Sequence, residues 1–537
     1  MSAAHPPAKS LHDFLSILVL IACCIVVFLL APKHGLFSWS EAPRNALNGA
    51  FVMDLLVEHP FGDPKGWAYE YYYQYPALTI LFYPPMLYAV LSVFYLLFGV
   101  SHAVAVACIV SFLAAFAIGI YSIVRRVAEP GVAAAAALFA ISSYEIYVWG
   151  QQVMLEVPML AFLVWGTYFL LQYGSSDRTR DLGISALLFL CALYTKQTAA
   201  IPLLGIVVGF VWHEGFGVFR RRPIYLVAAL VAIALIPLVY LQLTFGSFNI
   251  TSVVDRSDVA VNRASLEGIG WYAVRLPEMT NPLIAVGAAM LLALVAIVRT
   301  RRISSAESKM LLAWFVLSYL ALTLIDLKET RHGIFLIPPV AIAAALLFAQ
   351  LPRAWGGGVA MSAGLASFAW IAWAQPTPWV SGYHEAAEKV VAIAPRESRI
   401  LFLGNRDGSF IFNVRQLDRE KSLSIIRADK LFLDISIMPE HGLNPRAMGE
   451  AEMKRLFHDL GISYVVAVPD IWTETAVIRT FYRLLASDQF ERVDSIPVAG
   501  RANEKRLDIY RNTGEIKSPP DKFTMKLSGV GVQLKGN

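Results

Sequence analysis

Charge is what this chain has least of. Of its 537 residues, 16% are charged, where soluble domains carry about 25%. That scarcity excludes a purely soluble enzyme and an intrinsically disordered chain. A formal net charge of +5 leaves no basic footprint for nucleic acid. Cysteine is nearly as rare: Cys23, Cys24, Cys108 and Cys191 all fall inside apolar runs. They form no C-x-x-C pair, which excludes a disulfide scaffold and a thiolate metal site and leaves small core filler as their role. Nucleotide signatures are missing too, since neither a Walker motif nor a G-x-G-x-x-G occurs.

What the chain does have is apolar residues, at 57%, with a mean hydropathy of +0.56. A membrane-crossing helix takes about 20 of them. Runs at about 13–32, 101–124, 131–149, 157–173, 182–196, 198–213, 224–245, 280–298, 310–326, 333–350 and 357–375 give eleven spans. The first, Phe14 to Ala31, has no small-residue cleavage site after it and reads as a retained span. With eleven alternating crossings, one side collects Arg125, Arg126, Arg178, Arg180, Arg220 to Arg222, Arg299, Arg301, Arg302, Lys309 and Arg353. Arginine-rich short loops lie on the cytoplasmic side. The N-terminus is then inside, and everything after the last span is outside. In a bacterium this means the inner membrane with the last domain in the periplasm. The pattern requires Leu78–Phe98, which is apolar enough to cross, to lie as a helix at the outer interface. Its aromatic residues and the Pro84–Pro85 pair suit that position.

Several polar residues sit at the outer face, where they are costly. The long loop after the first span carries Glu41-Ala-Pro-Arg-Asn-Ala. Pro43 suits the first turn of a helix, Ser40 is a candidate cap, and Glu41 at the helix start is favoured by the macrodipole. Glu41 is either a helix-end support or a chemical group. Glu156 lies at the mouth of the fourth span, where an ionisable residue needs a partner or a function. Glu145, on the same side, reads as solvated. Lys196 stands where the fifth and sixth spans turn over, and Arg331 and His332 begin the tenth. Lysine and arginine together can hold a phosphate. The competing reading is an external ion-pair cluster of Asp326, Lys328, Glu329 and Arg331. A carboxylate and cations on one face suit a reaction on an anionic lipid, with general-base catalysis on an acceptor hydroxyl and stabilisation of a departing phosphate.

At these residues the chain resembles the GT-C glycosyltransferases. The closest resemblance is to the group that holds the aminoarabinose transferases of lipid A and the protein O-mannosyltransferases. It covers roughly residues 13–350. The family's Asp-Glu-Pro-Arg-Tyr-Ala motif has its counterpart in Glu41-Ala-Pro-Arg-Asn-Ala, and Gln74-Tyr-Pro-Ala-Leu-Thr stands where the family leads into an interfacial helix. Met154-Leu-Glu-Val-Pro, Tyr194-Thr-Lys-Gln and Arg331-His-Gly-Ile-Phe-Leu-Ile-Pro follow in family order. The departures are Glu41 in place of the usual aspartate, Ala42 in place of its acidic neighbour, and Tyr75 where a basic residue is common.

The resemblance implies a mainly α, polytopic GT-C protein of about eleven transmembrane helices with a C-terminal extracytoplasmic α/β domain. It implies inverting transfer of a sugar from a polyprenyl-phosphate donor to a lipid, glycan or protein acceptor, without a nucleotide. Glu41 would be the general base. Arg44 would hold that base or a phosphate, and Lys196, Arg331 and His332 would bind the donor phosphate. Glu156 would orient the acceptor or, with Glu41, hold a divalent metal ion, the one candidate cofactor. In the Tyr69–Tyr73 cluster and just beyond it, Tyr72 and Tyr75 either stack on a sugar or pack against the interfacial helix.

The domains expected are a transmembrane part over residues 1–378 with its catalytic loop at 32–100, an α/β part over 379–512, and a flexible tail from 513. Arg399-Ile-Leu-Phe-Leu-Gly, Ser422-Leu-Ser-Ile-Ile and Ser463-Tyr-Val-Val-Ala-Val read as buried strands, and Glu385–Ala394 and Glu450–Leu460 as amphipathic helices. Gly404-Asn-Arg-Asp-Gly is either a plain turn or a ligand site at a strand's C-terminal end. The alternative function is a transporter or flippase of a polar or lipid-linked substrate, against which stands the lack of a repeat between matching halves. A non-catalytic anchor for the outer domain would leave Glu41, Glu156 and Lys196 unexplained.

Overall fold

All eleven apolar runs are helical in the computed structural model, which describes residues 11–245, 261–298, 305–433, 444–517, 525–526 and 533–534. Among the described residues, six helices are long and apolar enough to cross a membrane: Leu11–Leu30, His102–Val124, Glu156–Ser176, Arg222–Thr244, Thr330–Phe348 and Ala354–Ala374. Arg299, Arg301 and Arg302 lie outside the described residues. The expected run at 131–149 is two helices, Pro130–Ile141 and Tyr144–Trp149. They are separated at Ser142 and Ser143, whose hydroxyls bond back to the Phe139 carbonyl at 3.3 and 2.9 Å. Such back-bonding competes with the helix ladder. The expected interfacial helix begins only at Met86. Pro84 and Pro85 lack the N–H that would extend it backwards, so Leu78–Pro85 is irregular.

The chain divides into two compact units. The first comprises Met1–Ala31, Tyr83–Leu87 and Val106–Thr377, and is helical. Its helices meet through small residues, which let backbones approach in an apolar medium that gives no hydrophobic drive. A Cβ on Gly205 would lie 2.6 Å from the Trp314 Cα, and one on Gly209 would lie 2.5 Å from the Met310 Cα. A Cβ on Gly364 would meet the Leu138 Cδ1 at 2.9 Å and the Ala135 Cα at 3.2 Å. This explains why Val132–Ala140 is so rich in alanine and wholly buried.

Ion pairs tie helix ends together in this unit. Asp13, at the start of the first helix, accepts from the Arg125 Nε at 2.6 Å and from the Tyr121 hydroxyl at 2.5 Å. Arg126 reaches Glu307 at 3.0 Å and the Ser175 hydroxyl at 2.8 Å. These are the ends that alternate crossings bring to one side. The opposite ends meet at Glu156, Lys196 and Arg331.

The second unit comprises Pro32–Phe82, Tyr88–Ala105 and Pro378–Asn537. The long loop after the first helix thus folds with the C-terminal α/β layer. Its sheet has strands β1 (Arg399–Leu403), β2 (Ser424–Arg427), β3 (Ile462–Ala467), β4 (Phe490–Pro497) and β5 (Arg506–Asn512), in the order β2-β1-β3-β5-β4. β1 runs parallel to β2 and β3, with Leu401 opposite both Ile426 and Val465, and β5 is antiparallel to β3 and β4. The first three strands are near-continuous apolar runs buried on both faces, so they are legible in sequence. β4 is mostly exposed and polar, and lacks that signal. Phe457, Phe481 and Phe490 close one face of the sheet. In the tail, Met525–Lys526 pairs with Gln533–Leu534.

Because Gly205 and Gly209 sit against backbone that cannot give way, Gly205→Val should destabilise the packed helices by about 1–3 kcal/mol. The readout is a lower apparent melting temperature of the detergent-solubilised protein. An unchanged transition would contradict this packing.

Candidate active site

In the helical unit, Glu156 opens the Glu156–Ser176 helix and is 1% exposed. A carboxylate so buried needs a countercharge. Lys196, which ends the Thr179–Thr195 helix, donates to the Glu156 Oε1 at 2.7 Å. The Arg331 Nε stands 3.8 Å from the same oxygen, and its Nη2 lies 3.5 Å from Glu329. Aromatic rings complete the setting: Arg331 lies over Trp149, 5.5 Å from its centroid, and Lys196 lies 5.8 Å from that of Tyr83. An ammonium has three N–H donors and a guanidinium five, so the pairing with one carboxylate leaves capacity for an anion. With Glu329 counted beside Glu156, two cations face two carboxylates, and the cluster is formally balanced before His332 is counted. His332 shares Nδ1 with the Leu327 carbonyl at 3.2 Å, and its Nε2 faces Glu329 at 3.9 Å.

The external ion-pair reading divides here. Lys328 does not join Arg331; it donates to the Leu322 and Thr323 carbonyls at 2.9 and 3.0 Å, at the end of the Ser305–Thr323 helix. Asp326 faces Arg263 at 3.8 Å. Glu145, expected to be solvated, is buried and accepts from the Trp149 indole at 2.6 Å. That bond holds the ring on which Arg331 rests. Neither Glu145 nor Trp149 carries a motif that would have marked it in advance.

In the second unit, Glu41 is the first residue of the Glu41–Glu58 helix and is half-buried. Ser40 does not cap it: the residue is already in the helical region and its side chain makes no cap bond. Four groups of contacts set this helix instead. The Arg44 Nη2 donates to both carboxylate oxygens of Asp407, at 2.7 and 2.8 Å. Asn48 and Thr79 exchange bonds of 2.9 and 3.2 Å. Asp54 takes Arg415 at 2.6 and 2.8 Å, the Tyr71 hydroxyl at 2.9 Å and Lys421 at 3.0 Å. Tyr88 also donates to Asn45, one turn beyond Glu41, at 3.0 Å.

Arg44, expected to hold the base or a phosphate, is therefore anchored on Asp407. That aspartate lies in the Gly404-Asn-Arg-Asp-Gly turn and begins the Asp407–Leu417 helix, where the dipole favours an anion. The crevice beyond the strand ends is filled by the chain's own loop, and a Cβ on Gly408 would touch the Arg44 Cγ at 3.1 Å and the Pro43 Cγ at 3.3 Å. Asp407 also meets the Arg427 Nη1 at 2.8 Å, and Arg427 in turn holds Asp429 through Nε and Nη2 at 3.0 and 2.5 Å. Tyr72 and Tyr75 are buried, 1% and 0% exposed, and the Arg415 guanidinium lies 6.0 Å from the Tyr75 centroid. Packing within this unit accounts for both rings.

A divalent metal does not fit the surroundings of Glu156. The carboxylate is already neutralised by two cations, which would repel a third. Among the described residues no group of three or more His, Cys, Asp or Glu side chains could hold a metal ion.

The network around Arg427 has a titration consequence. Burial, reinforced by the neighbouring Arg427, pulls the Lys430 amine from its ordinary 10.5 down to about 7, against the opposing pull of Asp429 and Asp407. Burial opposes ionisation of Asp429 as well, yet Arg427 beside it holds that carboxyl below the usual range. Below pH 7 the folded and unfolded chains both keep the Lys430 proton. Between about 7 and 10.5 only the unfolded chain keeps it, so stability rises with pH across that window. The apparent melting temperature should climb between about pH 6.5 and 8.5 more steeply in the parent than in Lys430→Met. Parallel curves would contradict the placement of this lysine.

Comparison with known proteins agrees with this architecture. Residues 83–241 match the dolichyl-phosphate-mannose-protein mannosyltransferase family. No curated protein matches the chain. ArnT from Cupriavidus metallidurans, solved bound to undecaprenyl phosphate, superposes with a TM-score of 0.61 at 14% identity, over 94% of this chain and 99% of that one. The Archaeoglobus fulgidus oligosaccharyltransferase in its apo form superposes with a TM-score of 0.51 at 13% identity, over 89% of this chain and 71% of that one. The chain thus has the fold of the GT-C membrane glycosyltransferases and resembles the group of aminoarabinose and protein O-mannosyl transferases.

Proposed function

We propose that this protein is an integral-membrane glycosyltransferase that moves a sugar from a polyprenyl-phosphate donor to a lipid, glycan or protein acceptor, with inversion, on the outer face of the membrane. The observation that carries the reading is the buried Glu156–Lys196–Arg331 cluster, which holds a lysine and an arginine side by side at the end of an apolar helical body. A polyprenyl phosphate is the substrate class whose charge and tail match such a place together. Further support comes from the ArnT structure, whose fold this chain shares and which holds undecaprenyl phosphate.

In the reaction, an acceptor oxygen attacks the anomeric carbon from the face opposite the phosphate. The new C–O bond forms as the old one breaks, and its electron pair leaves on the phosphate. The acceptor's proton passes to Glu41, the general base. A donor diester of charge −1 becomes a monoester that gains negative charge, so Lys196 and Arg331 bind the departing group more strongly than the starting one. That difference is what lowers the barrier. Glu156 sets the two cations and orients the acceptor, while His332 lies beside Arg331 as a further donor to the phosphate.

The orientation follows from the arginine-rich helix ends. Arg125 and Arg126 lie at the ends opposite Glu156 and Lys196, and the positive-inside rule supports an outer position for the cluster. Eleven crossings, a bacterial inner membrane and a periplasmic α/β domain complete the reading.

The test is Glu41→Gln, which keeps size and hydrogen bonding but removes the base. Mass spectrometry of envelope lipids and glycans from a null strain carrying this variant should show the same missing sugar as the null strain itself. Protein level and melting temperature should stay at parental values. Full restoration of the envelope profile by Glu41→Gln would refute the assignment.

A further inference from the structure

One buried side chain beside the charged cluster has no use in the reaction as described. Gln152 is 0% exposed, and neither its amide nitrogen nor its amide oxygen finds a hydrogen-bond partner among the described residues. Its neighbour Gln151, 1% exposed, donates to the Tyr147 carbonyl at 3.3 Å and leaves its Oε1 unmatched. Buried carboxamides are almost always paired, because an unpaired donor and acceptor each keep the full cost of losing water. A residue that breaks this rule twice is set for something that arrives from outside.

The location identifies the visitor. Gln152 lies in the turn between Trp149, whose ring carries Arg331, and Glu156, which binds Lys196. Its backbone N–H points to the Trp149 carbonyl at 3.4 Å, and its own carbonyl takes the Met154 N–H at 2.7 Å. These bonds tie the turn to Trp149 on one side and to Met154, two residues before Glu156, on the other. A phosphate satisfies cations and N–H donors, but an ionised phosphate has nothing to give the amide oxygen. A group that complements both ends of a carboxamide must donate and accept at once, as a pair of neighbouring hydroxyls does. In a glycosyl phosphate those hydroxyls lie immediately beside the phosphate.

We infer that Gln152 is the residue that reads the hydroxyls of the donor's sugar, with the Gln151 amide oxygen as a second acceptor, and that it sets which sugar the enzyme takes. The inference rests on the polyprenyl-phosphate reading of the neighbouring cations. A site built to bond hydroxyls rejects a ligand without them, since its own buried groups are then left unmatched.

The experiment uses the purified full-length protein in detergent. Binding is measured for polyprenyl methyl phosphate, a sugar-free diester of the same charge as the donor, and for polyprenyl phosphates carrying glucose, mannose, galactose or arabinose. The parent should bind at least one glycosyl lipid about tenfold or more tightly than the methyl diester. Gln152→Met, of similar shape, should bring that lipid back to the affinity of the methyl diester while leaving the methyl diester unchanged, which also shows that the variant is folded. Should Gln152→Met fail to fold, Gln152→Glu, which keeps an acceptor and loses the amide donor, should reorder the preference within the panel. A flat panel for the parent, or a variant profile superimposable on the parent's, overturns the role of Gln152. Failure of the parent to bind any of these lipids removes the polyprenyl-phosphate reading itself, and this inference with it.

Discussion

A carboxylate buried among apolar helices has to be neutralised, and in this protein a lysine and an arginine share that task. Glu156 brings Lys196 and Arg331 to one point from the ends of two other helices. The pairing holds three helix ends in register in a medium where hydrophobic burial does not distinguish one helix face from another. In the proposed reaction, the groups that order the helix ends are also the ones that meet the phosphate. The Glu145–Trp149 bond extends the same logic, because it fixes the aromatic face on which the Arg331 guanidinium lies.

The second unit meets its own constraint in a different way. The Glu41–Glu58 helix belongs to the first long loop, yet it is set by the C-terminal α/β layer through Asp407 and Arg415. Bidentate arginine–carboxylate bonds fix direction as well as distance. The crevice at the ends of parallel strands, a common ligand position in α/β folds, is taken up here by Arg44 and Pro43. The α/β layer holds the helix that begins with Glu41, the residue proposed as general base.

Much of this was legible in the sequence where a strong local rule applied. The helices of the membrane body follow from long apolar runs, and β1, β2 and β3 from short ones. Glu156, Lys196, Arg331 and His332 stood out because charge is rare in such surroundings. The remainder depended on contacts between residues far apart in the chain. Arg44 reads locally as a partner for Glu41 or a phosphate, and nothing near it announces Asp407, more than three hundred residues away. Tyr72 and Tyr75 look suited to a sugar until their burial is known. β4 escaped because its exposed polar face lacks the apolar run, and the start of the Met86–Phe98 helix moved because two prolines override hydrophobicity.

Lys196 and Arg331 are proposed to hold a lipid-linked phosphate. This is tested most directly by a cryo-electron microscopy structure of the full-length protein with a polyprenyl phosphate. The account predicts phosphate density within hydrogen-bond reach of the Lys196 Nζ and the Arg331 guanidinium, with Glu156 still paired to the lysine. Phosphate bound away from both cations would contradict it.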